Sequence, residues 1–140
     1  MTRLSLAAAL ALFAGPALAD RIEAVCERSE LYNSGTATLC STPANYSFHS
    51  DGPEVEFFVT LTAPASHCSP VVYSVWFPGE NFSRGSTRIL RAGESDTVVI
   101  GRGYGPGTSQ VQVSAIGIIE GCNTGQMHSW AAEISAAPVP

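Results

Sequence analysis

The chain has 140 residues, 45% of them hydrophobic and 14% charged, with seven basic against twelve acidic side chains and a formal net charge of −5. This acidity disfavours nucleic acid and anionic membrane as partners. The length is that of one domain, enough to bury a core without a metal or a partner. All basic residues are arginine and none is lysine, a bias we take as the mark of a GC-rich bacterial genome.

Residues 1–19 read as a cleavable secretory signal. Arg3 supplies the charged start, Leu4 to Ala14 an apolar stretch too short to span a bilayer, and Ala17-Leu18-Ala19 the small-residue cleavage site. Cleavage leaves Asp20 first, where a lipoprotein requires cysteine, and the loss of Arg3 takes the net charge from −5 to −6. No later run reaches the roughly 20 apolar residues of a membrane helix. The expected mature protein is soluble, periplasmic or secreted, and does not insert in a membrane.

Between Asp20 and Ala44, Ile22, Val25, Cys26 and Leu31 fit either an irregular strand or a short helix ending at Gly35, and the strand is favoured. Val55 to Leu61 alternates Val55, Phe57, Val59 and Leu61 with Glu56 and Thr60, broken by Phe58, as a half-buried strand does. Val71 to Phe77 places Val71, Tyr73, Val75 and Phe77 on one face. Further strands are predicted over 87–91, 97–100, 110–119 and 128–134, separated by turn-forming segments such as Ala92-Gly93-Glu94-Ser95. Residues 20–134 form one domain, and the Ala- and Pro-rich end at 135–140 reads as a loose tail.

Four cysteines after an export signal imply two disulfides, with three possible connectivities. No C-x-x-C is present, which disfavours redox and zinc-ribbon chemistry. If successive strands alternate in direction, the loops 63–70, 92–95 and 121–126 gather at one pole and the loops 50–53, 78–85 and 102–109 at the other. Cys68 and Cys122 then meet, leaving Cys26 with Cys40 across a turn at Asn33-Ser34-Gly35. The pairing Cys26–Cys40 and Cys68–Cys122 is the expectation.

Candidate chemistry is sparse. His67 and His128 share the stapled pole with Met127, and two imidazoles with a thioether suit copper. The chain lacks H-x-H spacing and has only two methionines, so polar loop residues are the plainer account and no cofactor is expected. No G-x-S-x-G elbow is present, and neither Ser66-His67-Cys68-Ser69 nor the scattered carboxylates form a catalytic set, so an enzyme is not expected. Gly101 to Gly107 is glycine-rich but lacks the Lys and Ser/Thr of a phosphate loop. At the unstapled pole Arg102 and Tyr104, with Asn81, Phe82 and Arg84, are the binding candidates, since arginine and aromatic side chains on loops of a rigid frame commonly engage partners. Asn45-Tyr46-Ser47 and Asn81-Phe82-Ser83 match the glycosylation sequon, which in a eukaryotic chain implies surface loops.

The segment Leu90-Arg91-Ala92-Gly93-Glu94-Ser95-Asp96-Thr97-Val98-Val99-Ile100, followed by Pro106-Gly107-Thr108-Ser109-Gln110-Val111-Gln112-Val113-Ser114-Ala115, is similar to the closing strands of bacterial immunoglobulin-like domains. The resemblance implies architecture and no activity. The expected protein is an all-β, immunoglobulin-like antiparallel sandwich of seven or eight strands. Its expected role is non-catalytic: an envelope module binding a protein, a glycan or a small ligand. The alternatives are a small inhibitor or accessory subunit acting through an exposed loop, and a metal-handling protein using His67 and His128.

Overall fold

The computed structural model describes residues 19–52, 55–78, 83–101 and 106–139. These contain ten strands and no helix: β1 (Asp20–Val25), β2 (Ser29–Tyr32), β3 (Ala37–Cys40), β4 (Ala44–Ser50), β5 (Phe57–Thr62), β6 (Val71–Phe77), β7 (Ser83–Ser86), β8 (Ser95–Ile100), β9 (Gly107–Ile118) and β10 (Ser129–Pro138). They form two sheets with antiparallel pairing throughout. One runs β1-β10-β5-β8. The other has six strands ordered β2-β3-β9-β6-β7, and β4 also pairs with β9.

β9 is the spine of the larger sheet. Along one flank, its first half pairs with β4 (Val113↔Ala44 to Gly107↔Ser50) and its second half with β3 (Ile118↔Ala37 to Ile116↔Leu39). Along the other flank it pairs with β6, from Val71↔Gly117 to Trp76↔Gln112. Period-two alternation then fixes which side chains turn inward. Val111, Val113 and Ala115 of β9 and Val71, Tyr73, Val75 and Phe77 of β6 are buried against Phe57, Val59 and Leu61 of β5 and Trp130, Ala132 and Ile134 of β10. Tyr73 is fully buried, with its ring 6.0 Å from that of Trp130, and its hydroxyl donates to the Ala131 carbonyl at 2.6 Å. That bond crosses the core and satisfies the one polar atom on a large apolar ring.

Both disulfides have the expected pairing: Cys26–Cys40, with Cα atoms 5.3 Å apart, and Cys68–Cys122, at 5.6 Å. Cys26 follows β1 of one sheet and Cys40 ends β3 of the other, so this bridge joins the two sheets. The turn between β2 and β3 holds Asn33, Ser34 and Gly35 at φ of 53°, 58° and 81°, left-handed backbone that the first two reach at some cost and glycine reaches freely.

The structure differs from the sequence reading in four places. The strand count is ten, because residues 20–40 supply three short strands where one irregular strand was expected over 20–44, and Ala44–Ser50 and Ser83–Ser86 form strands where none was. Residues 87–91 are not a strand: Thr87 turns its hydroxyl to the Tyr73 N–H at 3.0 Å, and the Arg88 N–H bonds the Asp96 carboxylate at 2.8 Å. Only Leu90 returns to pair with Val71. The expected tail at 135–140 is ordered through most of its length, since β10 continues to Pro138 opposite Phe57 and the Val139 N–H donates to the Glu56 carbonyl at 2.8 Å. Asn45 of the first sequon lies within β4, opposite Gln112, and not in a loop.

Candidate functional site

The pole holding Cys68–Cys122 is built by three loops that bind one another. The turn after Leu90 is locked to the end of β5, where the Ala63 N–H donates to the Glu94 carbonyl at 2.9 Å and the Gly93 N–H to the Ala63 carbonyl at 2.7 Å. Glu94 accepts from the Arg91 N–H at 2.7 Å and the Arg88 guanidinium at 3.3 Å. The Arg91 N–H above all, with the Arg88 charge, holds the Glu94 carboxyl below the ordinary carboxylate range. Arg91 pairs with Glu120 at 2.7 Å, tying this turn to the loop after β9.

That last loop is organised by Asn123. Its side chain is buried, donates to the Thr38 hydroxyl at 2.9 Å and accepts from the Gly125 N–H at 3.1 Å. Thr38 is fully buried and in turn donates to the Gly117 carbonyl at 3.4 Å. Gly117 is necessary here, since a Cβ at this position would lie 2.8 Å from Asn123 Nδ2 and 3.2 Å from Thr38 Oγ1. Gly121, at φ +61°, lies where an added Cβ would collide with the Cys68 carbonyl. Met127 is fixed by its N–H donating to Ser29 Oγ at 2.8 Å, and the Cys26 N–H donates to the His128 carbonyl at 2.8 Å.

Between these loops and β1 lies a cleft of about 760 Å³. Val71, Gly117, Trp130 and Ala24 form its inner wall, the Cys68–Cys122 bridge one side, and Arg21, Glu23, Val25, Gln126 and His128 its outer rim. Val25 is 75% exposed, an apolar side chain left in solvent at the rim. His67 is half-buried on the loop side. Burial, and to a lesser degree the positive charge of Arg21, hold its imidazole below the ordinary value of 6.5, which keeps it neutral near pH 7.

The structure brings the three metal candidates together, as His67, Met127 and His128 line this one cleft. Among the described residues, however, no group of three or more His, Cys, Asp or Glu side chains is arranged to hold a metal ion. His49 stands apart on β4, its Nε2 2.8 Å from Asp51. Of the binding candidates at the unstapled pole, Asn81, Phe82, Arg102 and Tyr104 lie outside the described residues. Arg84 is exposed on β7, opposite Trp76.

The sequence reading missed Arg21, Glu23 and Trp130 as site residues. The alternation Arg21-Ile22-Glu23-Ala24-Val25 carried the signal for the first two, since it puts Arg21, Glu23 and Val25 on the face away from buried Ile22. Only the placement of β1 beside β10 shows that this face borders a cleft. All four cysteines are bridged, so none is a nucleophile or a thiolate ligand here. Cysteines paired in this way belong to a protein of an oxidising, extracytoplasmic environment, and no helix among the described residues is long and apolar enough to cross a membrane. No protein-family model matches the chain, and no curated protein matches it.

Proposed function

We propose that this protein is an exported, non-catalytic binding module with an immunoglobulin-like sandwich frame, and that it takes its ligand in the cleft at the stapled pole. The observation that carries the reading is the cleft itself: about 760 Å³, with an apolar inner wall around Trp130 and Val71 and polar groups such as Arg21, Glu23, His67, Gln126 and His128 around it. Sites for small ligands or for a short segment of a partner have this composition. The Cys68–Cys122 bridge and the Asn123–Thr38 bond fix the wall in advance, so little ordering entropy is lost on binding. Export by the 1–19 signal accords with the two disulfides, and the resemblance of 90–115 to closing strands of bacterial immunoglobulin-like domains supports the frame.

The test is native mass spectrometry of the mature protein isolated from the envelope of its source cell. A bound mass is expected. It should disappear in Ser129→Trp, an exposed rim position where an indole fills the cleft mouth, with the melting temperature unchanged. Isolation of the ligand-free monomer alone, or a bound mass indifferent to Ser129→Trp, overturns the proposal.

A second reading rests on the convergence of His67, Met127 and His128 on the same cleft: the module handles copper. That reading expects a copper adduct in the same spectra, lost in His67→Ala and retained in His49→Ala.

A further inference from the structure

The outward face of the larger sheet carries a row of side chains that no part of the fold uses. Strand register aligns Asn45, Gln112, Trp76 and Arg84 across β4, β9, β6 and β7: Asn45 pairs with Gln112, Gln112 with Trp76, and Trp76 with Arg84. Their chain neighbours Tyr46, Val111, Val113, Val75, Phe77 and Gly85 face inward, so these four share the solvent side. Strands about 4.8 Å apart make the row about 14 Å long.

The rows on either side are polar. Toward the stapled pole lie Ser114, Ser74 and Ser86, with Ser74 Oγ and Ser86 Oγ 3.0 Å apart. Toward the other pole, Gln110 donates to Ser47 Oγ at 3.3 Å. Trp76 is thus a large aromatic side chain in the middle of a hydroxyl and carboxamide field, on the solvent side of the sheet and only partly buried.

Serine, threonine and glutamine pairs elsewhere on the surface satisfy one another. By contrast, among the described residues the Trp76 indole, the Arg84 guanidinium and the Asn45 and Gln112 carboxamides make no side-chain hydrogen bond, and no carboxylate stands in the row. Trp76 and Arg84 are residue types that also anchor protein interfaces, but the rows on either side are serine and glutamine and add no further apolar anchor beside them. A polyanion is opposed by the net charge of −5. What the row fits is a flat ligand with an apolar face and a polar edge.

We infer that this row is a glycan-binding platform for an uncharged pyranose chain. One sugar ring stacks its C–H face on Trp76, and its hydroxyls and those of adjoining rings bond Asn45, Gln112 and Arg84. The platform lies on the outer face of the larger sheet, and it is independent of the cleft, whose occupant is a separate question.

Tryptophan fluorescence tests this directly. Of the two tryptophans, Trp76 stands in the row and Trp130, 3% exposed, in the wall of the cleft, so the Trp76 variants separate binding at the row from binding in the cleft. The mature protein is titrated separately with cellohexaose, xylohexaose and hexagalacturonate. A saturable spectral change with at least one neutral oligosaccharide is expected, at least tenfold weaker in Trp76→Ala and intermediate in Trp76→Phe, which keeps the stacking ring. Gln112→Ala and Asn45→Ala should each weaken binding by roughly two- to tenfold, the span of one net hydrogen bond, with melting temperatures near wild type. Three results overturn the inference: no response to either neutral sugar, binding to hexagalacturonate alone, or a response unaffected at Trp76. Self-association of the protein that Trp76→Ala abolishes also overturns it, by assigning the face to a second copy.

Discussion

Gly121 shows how much one position decides. Its φ of +61° is left-handed, and a Cβ would meet the Cys68 carbonyl, so alanine combines backbone strain with a steric clash beside the bridge to Cys122. We expect Gly121→Ala to cost about 2 kcal/mol or more, read as a shift in the urea midpoint. Gly35, at φ +81° with nothing within 4 Å of an added Cβ, should lose less on the same change, since only the backbone term applies.

His67 makes the second case at this scale. Burial and Arg21 favour its neutral form in the folded protein, so the unfolded chain takes up the proton more readily. The stability this imidazole contributes is complete above its ordinary value of 6.5 and is lost as pH falls from there through the lower folded value. Urea midpoints measured from pH 8 to pH 5 should therefore decline below 6.5, and His67→Gln should flatten that decline. An identical decline in the variant would show that the shift arises elsewhere.

The elements divide by how clearly their burial is written in the chain. β5, β6 and the inward positions of β9 were legible because each has one fully buried face, and alternation such as Val71, Tyr73, Val75 and Phe77 has no competing explanation. β4 has the same period, with Ala44, Tyr46 and Phe48 against Asn45, Ser47 and His49, but its inner face is only half-buried, and the polar members stand out first. β2 is an edge strand whose Leu31 and Tyr32 are 66% and 48% exposed, so no pattern separates its faces. The extension of β10 over Ser135 to Pro138 depends on pairing with β5, a long-range fact that a run of alanine and proline does not encode.

The cysteine pairing was legible because strand alternation and one turn constrained it. The cleft was not, because it is assembled from β1, two loops and the start of β10, which are remote in sequence. In the chain-entropy model the Cys68–Cys122 loop, with a sequence separation of 54, is worth about 4 kcal/mol, and the Cys26–Cys40 loop, with a separation of 14, about 3 kcal/mol. We expect Cys68→Ala with Cys122→Ala to be the more damaging double substitution in chemical denaturation, and the one that enlarges backbone exchange in the loops 63–70 and 121–126.

For the whole molecule, these two contributions together are comparable to the full stability of an ordinary domain. Few reserves remain in a reducing compartment, which agrees with a protein whose working form is extracytoplasmic and disulfide-bonded. The two packed sheets supply the walls and the staples close one end of them, while the cleft between β1 and the stapled loops stays open to solvent. The direct measurement is backbone amide chemical-shift mapping of the mature protein, titrated with the soluble envelope fraction of its source cell. The cleft reading expects perturbations concentrated at Arg21 to Val25, Ser66 to Val71 and Cys122 to Ala131. An unperturbed spectrum, or shifts that leave those three segments untouched, would contradict it.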